Sequence, residues 1–110
     1  MLANDGELAD YFSALANASR LSVLRRLANG EIPAKELATS VGLSQSALSH
    51  HLNVLRRQQV VKARREAQTI YYSLASDRSE KAVSLLNGIL FPDGLQMSMF
   101  GFPDFSPEAA

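Results

Sequence analysis

The sequence predicts a mainly α fold with one small β-hairpin, and three observations carry that prediction. Apolar residues recur at helical spacing through residues 7–58 and again through 77–90. Gly42 interrupts the pattern where one short helix must stop and another begin. Between the two helical regions, the run VVKARREAQTIYYSL turns to alternating β-branched and aromatic residues, as strands do. The elements expected in order are helices over 7–17, 19–29, 33–41 and 44–58, strands over 60–65 and 68–74, and a last helix over 77–90.

The first and last helices are expected to face a partner chain. Leu8, Tyr11, Phe12 and Leu15 form one apolar stripe; Ala82, Val83, Leu85, Leu86, Ile89 and Leu90 form another. One small core would not cover both. A chain of 110 residues buries only about two thirds of its unfolded surface, so it can gain from a second copy.

The third and fourth helices carry the most specific signal. Leu37, Ala38 and Val41 give the third its apolar side, and Ala38 is small enough for close helix approach. Gly42 suits a left-handed C-terminal cap because it has no Cβ. Leu43 can pack into the angle between the helices, and Ser44 is a favourable N-cap. On the fourth helix, successive residues turn by about 100°. Leu48, Leu52 and Leu55 then share one side, with His51 at its margin, while Ser46, Ser49, His50, Asn53 and Arg57 share the other. A solvent face of short hydrogen-bonding side chains ending in arginine fits a major groove. A helix needing only solubility more often shows Glu and Lys there. The plain structural alternative is an αα-hairpin within a bundle.

The hairpin adds to the first reading. Arg64, Arg65 and Gln68 fall near its tip, with the turn expected near Glu66-Ala67. A basic tip beside such a helix forms a wing able to reach phosphates or a neighbouring minor groove. The formal net charge is zero, but the charge is unevenly placed. All eleven basic residues lie between Arg20 and Lys81, opposed there by Glu31, Glu36, Glu66, Asp77 and Glu80, a net +6. A basic centre between acidic ends suits duplex DNA.

Composition excludes several other classes. With no cysteine, disulfides, thiol chemistry and thiolate metal sites are out of reach,. No apolar run approaches the roughly 18 residues of a membrane span, so the expected location is the cytoplasm, at the nucleoid. The two adjacent histidines point about 100° apart and have no third ligand, so neither a metal site nor any cofactor is expected. Catalysis by His50 with Ser46 or Ser49 would lack a carboxylate to orient the imidazole. His50 is instead expected at DNA, and His51 packed and hydrogen-bonded inside.

The motifs ALANASRLSVLRRL, KELATSVGLSQSALSHHLNVLR and RREAQTIYYSL together resemble the arsenic-repressor (ArsR/SmtB) family of bacterial transcription factors. The last two are most similar to its branch of nodulation and biofilm-growth repressors. The resemblance covers about residues 7–90. It implies a winged helix-turn-helix in each subunit of a homodimer, dimerised through first and last helices, that binds imperfect inverted repeats and represses promoters. It also implies where metal sensors would carry ligands. Those positions here are about Pro33 and Lys35, which bind no soft metal. The last helix has no histidine, only Asp77 and Glu80 near its start. The usual metal and thiol inducers are therefore disfavoured.

The full expectation is residues 1–6 as an N-terminal tail, 7–90 as the DNA-binding and dimerisation domain, and 91–110 as a Phe/Pro-rich tail. DNA contacts are expected from Gln45, Ser46, Ser49, His50, Asn53, Arg57, Arg64, Arg65 and Gln68. Dimer contacts are expected from Leu8, Tyr11, Phe12, Leu15, Val83, Leu86, Ile89 and Leu90. In the tail, Phe91, Phe100, Phe102 and Phe105 are expected to cover apolar surface of the dimer, a hydrophobic ligand site or a docking peptide being the alternatives. An unknown small-molecule or protein effector remains open. The competing function is a winged-helix protein-interaction module that does not read DNA.

Overall fold

Five helices and a three-stranded antiparallel sheet make up the computed structural model, which describes residues 4–90. The 91–110 segment and the role expected of it lie outside the described residues. In chain order the elements are α1 (Asp5–Leu15), α2 (Ala18–Leu27), β1 (Ile32–Pro33), α3 (Ala34–Val41), α4 (Gln45–Arg57), β2 (Val61–Glu66), β3 (Thr69–Leu74) and α5 (Asp77–Leu90).

Local capping sets most of the boundaries. The Asn4 side chain accepts from the Glu7 amide at 2.8 Å, so α1 begins two residues before its expected start, inside the segment read as a tail. Asn17 caps α2 in the same way through the Arg20 amide. Ser44 caps α4 as expected, its Oγ accepting from the Ala47 amide at 3.0 Å.

Gly42 takes the left-handed conformation at φ 70°. Around it the Leu43 amide donates to the Ala38 carbonyl and the Gly42 amide to that of Thr39, the paired bonds of a Schellman cap. The same pair closes α4, Val60 to Leu55 and Gln59 to Arg56. There the left-handed residue is Gln59, at φ 59°.

One strand was not expected. Ile32–Pro33 pairs with β3 through Ile32↔Tyr72 and Pro33↔Tyr71, giving the order β1-β3-β2. Two residues carry no periodicity of their own, so only the pairing makes them a strand. The hairpin register runs from Val61↔Leu74 to Glu66↔Thr69, with its turn at Ala67-Gln68, one residue beyond the expected place. Ala67 takes φ 57° there.

The core lies where α1, α2, α3 and α4 meet the base of the sheet. Leu24, Leu37, Leu48, Leu55, Val23 and Val60 are fully buried. Burying side chains of this size contributes about 1.5–3 kcal/mol each. Leu48, Leu52 and Leu55 anchor α4 by its inner face, so its outer face is held outward. Arg78 of α5 stacks on the Tyr11 ring of α1, 4.4 Å from its centroid, joining the first and last helices within one subunit.

Candidate nucleic-acid interface

The outer face of α4 is built by exclusion. Once three leucines have entered the core, Gln45, Ser46, Ser49, His50, Asn53 and Arg57 are all left exposed along the helix, over about 18 Å at 1.5 Å per residue. None of the helix's thirteen residues is acidic. Its N-terminal partial charge is therefore not neutralised by a carboxylate in the first turn, which favours an approaching anion. Arg57 stands at the far end, bordering a cleft with Asp10, Ser13 and Arg20 beside α1.

His51 sits at the margin of the leucine face, half-buried, with Nδ1 3.4 Å from Arg20 Nη1. Arginine can only donate, so this contact needs the neutral imidazole as acceptor. Burial holds the His51 pKa below its usual value, helped by the charges of Arg20 and His50.

At the wing, Arg64 is paired within the protein. Its Nε and Nη2 bind the two oxygens of Glu31 at 2.7 and 2.8 Å, and Nη1 binds Glu66 at 2.8 Å. Tyr71 lies beneath the guanidinium at 4.4 Å. The two carboxylates raise the Arg64 pKa further, and Arg64 lowers that of Glu31. In this arrangement Arg64 is not a free phosphate contact, because all three of its nitrogens are already engaged. Arg65, on the opposite face of β2, is exposed; its Nε donates to the Ala67 carbonyl at 3.1 Å. Gln68 is exposed in the turn.

Two features of this surface were not assigned from sequence. Glu31 carries no motif, and only the strand β1 brings it to the wing. Arg56, Lys62 and Arg78 border one open groove of about 500 Å³ at the wing's root. In the sequence they register only as charge.

The apolar stripes also divide. Tyr11, Leu15 and Val83 are buried in the subunit's own core. Leu8, Phe12, Leu85 and Ile89 remain, at 38, 46, 58 and 63% exposure. Leu86 packs partly against the core, and Leu90 ends α5. Among the described residues, no three His, Asp or Glu side chains converge as a metal site would require. No helix there is long and apolar enough to cross a membrane.

A four-helix core presenting an exposed helix next to a β-hairpin defines a winged helix-turn-helix protein. Residues 17–63 match the arsR family of bacterial regulatory proteins. The chain is 49% identical to the nodulation protein NolR of Rhizobium meliloti, over 81% of this chain and 74% of that protein. It is 37% identical to the biofilm growth-associated repressor of Agrobacterium fabrum, over 76% of this chain and 71% of that one. Among solved structures, the homodimeric winged helix-turn-helix domain of Mb0332 from Mycobacterium bovis superposes with a TM-score of 0.73 at 29% identity, covering 83% of this chain and 88% of that domain. This chain belongs to the ArsR family, in the branch to which its motifs pointed. It is a DNA-binding transcriptional regulator and not an enzyme.

Proposed function

We propose that the protein is a homodimeric repressor that binds an inverted-repeat operator. The observation that carries the reading is the solvent face of α4, polar, free of carboxylates and fixed outward by three buried leucines. Gln45, Ser46, Ser49 and His50 meet base edges, with Asn53 beside them; Arg57, Arg65 and Gln68 meet phosphates or the minor groove. Short hydroxyl and amide side chains can both donate and accept, which reading a base edge requires.

Dimerisation is supported by the exposed Leu8, Phe12, Leu85 and Ile89, an apolar set that a lone subunit leaves in water. The homodimeric state of the Mycobacterium bovis relative agrees with it. A two-fold axis would then set two copies of α4 about 34 Å apart, one turn of duplex. Repression is the role that the Agrobacterium relative is named for. Any effector would be of a kind other than the metal and thiol inducers, and the protein acts in the cytoplasm where the operator is.

Selection of bound duplexes from a random pool, with sedimentation of the protein alone, tests all of this. An enriched inverted repeat with half-sites about one turn apart, bound by a dimer, is the expected result. No enrichment would return the protein to the interaction-module reading. A reporter gene behind the enriched sequence should fall in expression when the protein is supplied; a rise would make it an activator.

A further inference from the structure

The wing holds an arginine that its position assigns to DNA and its contacts withhold. We propose that Glu31 limits the number of phosphate contacts the wing can make, by holding Arg64 against the body of the protein. The inference rests on the DNA-binding reading and adds a residue that tunes it.

A bidentate carboxylate occupies Nε and Nη2, a second carboxylate occupies Nη1, and an aromatic ring covers one face. Fork-to-fork pairing of this kind fixes a guanidinium in direction as well as in charge. Glu31 and Glu66 offset Arg64 and the neighbouring Lys62, which also acts on Glu31, so this face carries no net charge where the hairpin's own residues there count +1. The two carboxylates act differently. Glu66 is two residues from Arg64, on the same strand, and moves with the wing. Glu31 is 33 residues away, immediately before the edge strand, so its pair spans the sheet from the β1 side across β3 to β2. An ordinary exposed ion pair contributes little to stability. Its larger effect here is on which cations remain free to displace counterions from DNA.

The test is a salt titration of binding to a selected and a random duplex, with wild type, Glu31→Gln, Arg64→Ala, the double variant and Glu66→Gln. Glutamine keeps the size of Glu31 but loses the ionic fork. Glu31→Gln should tighten random-duplex binding about 3- to 10-fold at low salt and steepen the dependence of log K on log salt by about one. Arg64→Ala alone should leave that slope unchanged, and Glu31→Gln should do nothing to it in the Arg64→Ala background. Glu66→Gln, which removes the same charge but leaves the fork, should not steepen the slope. An unchanged slope in Glu31→Gln, or equal steepening with and without Arg64, would overturn the proposal while leaving the DNA reading intact. A wild type that binds both duplexes equally, or neither, would overturn the DNA reading and this inference with it.

Discussion

Arg20 links the end of α1 to α4: its Nε donates to the Ala14 carbonyl at 2.6 Å while Nη1 reaches His51 Nδ1 at 3.4 Å. One cationic side chain thus holds a helix terminus and an imidazole that must be neutral to accept from it. The helix expected to carry part of the dimer surface and the helix expected to read DNA share this contact.

Stability should depend on pH through His51. Its folded pKa is lowered by burial first, then by Arg20 and His50, so the unfolded chain binds the proton more readily. The contribution is present above the unfolded value near 6.5 and is lost as pH falls from there through the lowered folded value. Thermal melts between pH 7.5 and 5 should show a falling midpoint, flattened in His51→Gln. An equal slope in that variant would assign the effect to other groups.

The two Schellman caps should respond in opposite directions. A Cβ on Gly42 would meet nothing within 4 Å, so a substitution there is opposed chiefly by the backbone at φ 70°. Gly42→Val should cost about 1–2 kcal/mol, more than Gly42→Ala, because β-branched residues resist this conformation. Gln59→Gly should stabilise by about 0.5–1 kcal/mol, since the left-handed strain it relieves outweighs the added freedom of the unfolded chain. Denaturant midpoints check both.

Base choice and general affinity should separate by residue. Ser46→Ala or Gln45→Ala should cost about 1–3 kcal/mol on the selected duplex and relax its sequence preference. Arg65→Ala should weaken selected and random duplexes alike and lower the salt slope by about one. Competition binding at two salt concentrations distinguishes these effects; the same loss pattern for Ser46 and Arg65 would count against the assignment of α4.

The divided stripes specify which apolar residues to charge. Phe12→Asp and Ile89→Asp alter exposed positions and should shift sedimentation from dimer to monomer with little change in subunit helicity. Leu15→Asp, at a buried position, should unfold the subunit instead. A Phe12→Asp, Ile89→Asp protein that stays dimeric would move the interface elsewhere.

The sequence by itself determined the turn between α3 and α4. Gly42, Leu43 and Ser44 act within a few residues of themselves, and the leucine spacing of α4 decides which face is left to solvent. Such features are local, so the order of residues expresses them directly. It also carried the family, because the motifs record that same local geometry.

Tertiary structure decided the rest. Ile32–Pro33 becomes a strand only by pairing with Tyr71 and Tyr72, and Gln59 occupies a left-handed position that no glycine announces. Helical spacing placed Tyr11, Phe12 and Leu15 on one stripe, yet packing against the other helices buries Tyr11 and Leu15 and leaves Phe12 out. Arg64 looks like a wing cation until the fold brings Glu31 beside it. A side chain's charge is written in the sequence, but whether that charge is free depends on which distant carboxylate the folded backbone delivers to it.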